Sequence, residues 1–176
     1  MDVRIDKAFF TAFDQASPVC HGLPAASYTC REFFELESNL LFAASWSFVG
    51  FAHQLAKVGD VQPLTVAGKP VFLVRSEADK IRAFHNVCRH RNLKLIDQAG
   101  HCDALITCPY HRWSYDFGGQ LRLAPYFGGG KTGLPDGFDL ANHGLHEVRC
   151  HTFHDWVFVN LDGHAESFDL FVEPLK

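Results

Sequence analysis

Four residues stand out for what they can bind. Cys88 and His90 form one close pair, Cys88-x-His90, and Cys108 and His111 form a second, Cys108-x-x-His111, with seventeen residues between His90 and Cys108. Each pair offers one thiolate and one imidazole from a tight loop, and both are ligands for transition metals. Two chemistries use such a set. A structural zinc ion takes all four donors in one tetrahedron, usually from pairs spaced by about two to four residues. A [2Fe–2S] cluster can divide them instead, with thiolates on one iron and imidazoles replacing two thiolates on the other. The one-residue spacing of Cys88-x-His90 is unusual for zinc and suits the divided cluster. The blandest reading, four unrelated core and loop residues, fits poorly with two pairs that both stand at the exits of predicted strands.

The elements that must position these loops are short strands. Ile81–Val87 pairs with Pro70–Arg75 as a hairpin around Ser76–Lys80 and delivers the chain into Cys88. Leu105–Thr107 leads into Cys108, and Ser114–Phe117 with Gln120–Leu123 flank Gly118-Gly119, a hairpin signal. Ser47–Ala52 and Gln62–Val66 are further strands, the second expected at an edge because of Pro63. Residues 124–136 form a loop, and Leu145–Thr152 and Trp156–Leu161 close the series, the last apolar enough to be buried. Ahead of the strands, Thr29-x-x-Glu32 predicts a capping box opening a helix over Arg31–Phe42, with Phe33, Leu36 and Leu40 on one face and a sheet edge beneath it. Residues 1–22 are a poorly specified lead-in. The expected fold is mostly β, small antiparallel sheets with one N-terminal helix.

Composition bounds the rest. A chain of 176 residues fits one domain with an extension and needs no disulfide to fold. Of the six cysteines at 20, 30, 88, 102, 108 and 150, two have a use as ligands, and the other four read as buried or incidental thiols. A net charge of −4 argues against a nucleic-acid partner. No apolar run approaches a membrane span and the N-terminus lacks a signal-peptide core, so the expected location is cytoplasmic, with no membrane partner.

The residues around the ligand pairs carry a resemblance. Cys88-Arg-His-Arg, Cys108-Pro-Tyr-His-x-Trp-x-Tyr and Gly119-Gln-Leu, with Tyr28–Glu37, Ser45–Gly50 upstream and Val157–Asp162 downstream, resemble the Rieske domain of ring-hydroxylating oxygenase α subunits. Glu32-Phe-Phe-Glu-Leu-Glu37 is most similar to the branch with choline and carnitine monooxygenases. The resemblance implies a [2Fe–2S] cluster with Cys88 and Cys108 on the inner iron and His90 and His111 on the outer, and an Asp of a neighbouring subunit beside His111. It implies Arg89, Arg91 and Arg112 as positive charge around the site, Tyr115 as a second-shell donor and Trp113 as a lid or plain core packing. Respiratory Rieske proteins carry an extra Cys in each loop and a Ser after the second His; here Leu93, Tyr110 and Trp113 stand there, which implies a low potential. The implied partners are a reductase or ferredoxin donor and an oxygenase catalytic domain, in a trimer by resemblance.

The oxygen-activating site of such enzymes, Asp-x-x-His-x4-His on a mononuclear Fe(II), is expected in a further domain. His146 and His151 echo its spacing, but His143 replaces the Asp and the segment reads as strand, so it is rejected. Gly128–Thr132 resembles the end of a phosphate loop without its strand–loop–helix context and reads as a loop. Asp14, His21, His53, His101, His154 and His164 read as surface or core residues. The expected organisation is a lead-in and helix over 1–44, the Rieske domain over 45–165, and over 166–176 a tail or the start of a catalytic domain. The function expected is one-electron transfer to an oxygenase iron; the alternatives are a stand-alone Rieske ferredoxin and a zinc-bound interaction module.

Overall fold

A computed structural model describes residues 22–129 and 133–176; the lead-in with Asp14, Cys20 and His21, and residues 130–132 of the glycine-rich loop, lie outside them. Among the described residues, ten strands form two antiparallel sheets. β1 (Ser47–Phe51), β10 (Trp156–Asn160), β9 (Glu147–Phe153), β4 (Lys80–His85), β3 (Lys69–Glu77), β2 (Asp60–Val66) and β5 (Gly100–His101) lie side by side in that order. β6 (Ile106–Thr107), β7 (Ser114–Tyr115) and β8 (Leu121–Leu123) make a small second sheet.

β3 shows why these residues form strands. Its side chains alternate, and both faces are buried, so Val71 and Leu73 enter one core while Phe72 and Val74 enter the other. The first core, with Val157 and Val159 of β10, fills the large sheet. The second joins that sheet to the small one through Phe84, Ile106, Trp113, Tyr115 and Leu121, and it includes Cys88 and Cys108. The Cys88 and Cys108 thiols are thus part of a hydrophobic core. Pro63 sits where the expectation placed it, since β5 pairs only with Asp60 and Val61 and leaves the rest of β2 an open edge. Asp116, Gly118 and Gly119 make the expected hairpin, Gly119 donating to Asp116 O at 2.9 Å. The two-residue β5 has no periodic signal and escapes prediction.

The helix differs from its expectation. A short α1 (Ala26–Thr29) precedes α2 (Arg31–Glu37), which runs on through a π turn, Ser38–Phe42. The N-cap of α2 is Cys30, with extended φ −84° and ψ 126°, so the Thr29–Glu32 capping box does not form. Thr29 belongs to the preceding turn and its hydroxyl reaches back to Ala25 O, while Glu32 accepts from Cys30 Sγ at 2.9 Å. Of the expected apolar face only Phe33 is buried; Leu36 and Leu40 are 39% and 68% exposed. The terminal stretch packs back. α3 (Phe168–Val172) places Phe168 and Val172 in a third core with Trp46 and Phe158, and Trp46 Nε1 donates to Glu166 O at 3.0 Å.

Candidate metal centre

The two ligand loops use one backbone twice. In the first, Cys88 N–H donates to Leu93 O at 2.8 Å and Asn92 N–H to Cys88 O at 3.0 Å. In the second, Cys108 N–H donates to Trp113 O at 2.8 Å and Arg112 N–H to Cys108 O at 3.0 Å. Asn92 (φ 58°) and Arg112 (φ 61°) take the same left-handed position four residues after each Cys. For Arg112 that conformation costs roughly 1–2 kcal/mol. The differing spacings are therefore a shift of the imidazole by one position on a shared turn.

The donors come together. Cys88 and Cys108 are 0% and 2% exposed. The rings of His90 and His111 lie 4.6 Å apart at 72°. Nδ1 of each is buried and has no hydrogen-bond partner, whereas a buried polar nitrogen left unpaired costs about 1–3 kcal/mol. Two buried thiols beside two imidazoles with unmatched nitrogens fit an iron–sulfur group. Burial pushes the Cys88 thiol up, aided by neighbouring Cys108 and opposed by the Tyr115 hydroxyl and the His90 N–H. A bound cation offsets that cost and favours the thiolate. Burial, with His111 and Arg91 nearby, lowers the His90 pKa and keeps the ring neutral, as a ligand must be. Among the described residues no three His, Cys, Asp or Glu side chains converge as a single ion requires.

Tyr115 is placed as a donor. Its hydroxyl accepts from Arg89 N–H at 3.0 Å and lies 3.3 Å from Cys88 Sγ, so its own hydrogen is left for the sulfur. Burial and the nearby thiol raise its pKa, which keeps the hydroxyl protonated. Trp113 is a wall rather than a lid, 2% exposed and stacked flat on His90 at 4.7 Å and 8°. Phe127 meets both rings edge-on, while exposed Tyr110 lies against His111 at 3.7 Å. Both imidazoles, Arg91, Trp113 and residues Pro125 to Phe127 line a cleft of about 310 Å³. Of the three arginines, Arg91 and Arg112 are exposed, while half-buried Arg89 donates to His146 Nε2.

The rejected echo of a second iron site does not assemble. His143 bonds Asp139 O at 2.8 Å, His146 meets Arg89, and His151 stacks on Phe168 at 4.9 Å. Two of the residues read as surface or core residues, His53 and His101, lie on the surface and pair with Asp155 and Asp60. Sequence reading also missed Asn86, His146 and Phe127 as neighbours of the site. Asn86 stands two residues before Cys88, and that position is the one signal it leaves.

Comparison with known proteins agrees with this geometry. Residues 45–133, half of the chain, match the family model described as the Rieske [2Fe-2S] domain. The chain belongs to the Rieske [2Fe–2S] domain family. Over 155 residues it is 35% identical to the glycine betaine monooxygenase oxygenase subunit of Chromohalobacter salexigens, covering 88% of this chain and 34% of that protein. It is 34% identical to the 2-aminobenzenesulfonate 2,3-dioxygenase subunit alpha of an Alcaligenes species, covering 86% of this chain and 38% of that one. The apo quaternary ammonium Rieske monooxygenase CntA superposes with a TM-score of 0.77 at 31% identity, covering 89% of this chain and 46% of that chain. The Rieske chain thus spans about a third of the length of these curated relatives.

Proposed function

We propose that Cys88 and Cys108 hold one iron and His90 and His111 the other iron of a Rieske [2Fe–2S] cluster, and that the domain carries electrons for an oxygenase. The observation that carries this is the pair of buried, unpartnered Nδ1 atoms on the same two equivalent loops as two buried thiols. When bound, the cluster supplies reversible one-electron transfer. The protein's part is to hold neutral imidazoles in place. Trp113 and Phe127 fix the His90 ring, and Tyr115 keeps a hydrogen bond on the Cys88 sulfur. Tyr110 and the open cleft leave the His111 side for a partner.

The relatives suggest the wider setting. A reductase or ferredoxin supplies the electron, and the acceptor is the mononuclear Fe(II) of an oxygenase catalytic domain, on the same or a neighbouring subunit of a trimer. Hydroxylation of an organic substrate with O2 follows there, and the glycine betaine relative favours a quaternary ammonium compound. No helix among the described residues is long and apolar enough to cross a membrane, and we place the protein in the cytoplasm.

Anaerobic reconstitution followed by iron and sulfide analysis tests the reading. Two irons and two sulfides per chain are expected, abolished by Cys108→Ser and retained by Cys102→Ser. Zinc bound without sulfide, or equal loss in both variants, overturns it.

A further inference from the structure

We infer that Asn86 is a positioning residue that closes the first ligand loop; this rests on the cluster assignment above. The two loops share a backbone but are closed differently. The second is closed by a ladder, because β6 and β7 flank it and Thr107 pairs with Ser114 across its base. Thr107 Oγ1 and Ser114 Oγ reinforce that base at 3.0 Å, and Ser114 Oγ donates to Arg112 O at 2.9 Å. The first loop has no such ladder. β4 ends at His85, and residues 94–96 leave the loop as irregular chain.

A single side chain supplies the closure. Asn86 is 0% exposed. Its Oδ1 accepts from Leu95 N–H at 3.0 Å and Ile96 N–H at 2.9 Å, and its Nδ2 donates to Ile96 O at 2.7 Å. Its own N–H donates to Pro70 O at 2.9 Å, which anchors the amide to β3. One carboxamide thus mimics the paired N–H and C=O of a strand, joining the chain two residues before Cys88 to Leu95 and Ile96 beyond the loop. Among side chains that do not titrate, only the carboxamide presents a donor and an acceptor side by side in this way. Loosening the joint frees Cys88 and His90 without touching Cys108 and His111.

A matched pair of variants separates positioning from simple support. Asn160 is also 0% exposed and also tethers a distant segment, donating to Ala43 O at 3.2 Å and Ser45 O at 3.4 Å, but it lies outside the metal centre. In the reconstituted protein, Asn86→Asp, which loses the Nδ2–H donor, is expected to speed iron release to a chelator about tenfold. It also shifts the reduced-state electron paramagnetic resonance spectrum. Asn160→Asp lowers the urea midpoint and leaves both cluster readouts at wild-type values. Loss of stability in both variants with an unchanged spectrum and release rate overturns the inference. If Asn86→Asp does not fold, hydrogen exchange of the wild-type chain decides. The Leu95 and Ile96 amides, held by Asn86 Oδ1, must stay protected when the cluster is removed, and loss of their protection overturns the inference. A wild-type chain that takes up no iron and sulfide overturns the cluster assignment instead.

Discussion

Tyr115 shows how much one hydroxyl contributes to this centre. It satisfies the Arg89 N–H and gives its hydrogen to Cys88 Sγ, and hydrogen bonds to cluster sulfurs raise the potential. Tyr115→Phe keeps the ring in the core and removes both bonds. The potential measured by voltammetry is expected to fall, and stability by urea titration to drop about 1–3 kcal/mol because Arg89 N–H loses its partner. At this scale the two Cys and two His brought together on equivalent loops were legible because thiol and imidazole are chemically rare and their spacing is short. Asn86 was not, since an asparagine at a strand end ordinarily reads as a turn residue, and its partners Leu95 and Ile96 are nine and ten residues away. His146 was hidden similarly, being read within a decoy motif when its partner is Arg89 on another element.

Elements were legible where local periodicity governs them and obscure where distant packing does. Nine of the strands sit near their expected places because alternation and turn residues mark them. The helix runs over Arg31–Phe42 as expected, but α1 competes for Thr29 so the capping box does not form, and its apolar stripe is real in sequence yet only Phe33 is buried. The hairpin behind the second loop carries the sharpest constraint. Gly119 has φ +84°, and a Cβ there would lie 2.4 Å from the Phe84 ring in the core joining the two sheets. Gly68 has φ +73° with nothing within 4 Å. Both alanine substitutions carry the left-handed cost of roughly 1–2 kcal/mol, but only Gly119→Ala also displaces a buried ring. Thermal melts should show Gly119→Ala losing clearly more than Gly68→Ala, and losing bound iron as the small sheet shifts. Equal losses would mean that Phe84 moves aside freely.

At the scale of the molecule, Asp155 and Asp60 tie segments distant in sequence, while Asp162 braces its own turn. Asp155, in the β9–β10 turn, holds His53 beyond β1 through its ring and backbone N–H. Asp60 of β2 accepts from Lys57 N–H and pairs with His101 of β5, both at 2.8 Å. Asp162 accepts from His164 N–H at 2.8 Å and from Asn160. The His53 ring bond chiefly lowers the pKa of Asp155, while backbone N–H donors chiefly lower those of Asp60 and Asp162. A carboxylate with a depressed folded pKa stabilises the fold above its unfolded value of about 3.9, and that contribution is lost as pH falls through the folded value. His85 and His151 act earlier. Burial lowers both, with His146 and Lys69 acting on His85, and Arg149 on His151 against Asp169. The unfolded chain, with His near about 6.5, then binds protons that the folded chain refuses, so stability also falls as pH drops below that value. The urea midpoint of the loaded protein should therefore be highest near neutral pH. It should decline gently below about 6.5 and steeply below about 4. Asp155→Asn should flatten the acid limb without moving the upper one, since His85 and His151 lie on other contacts. A midpoint rising toward acid would show that these ties do not hold the sheets together.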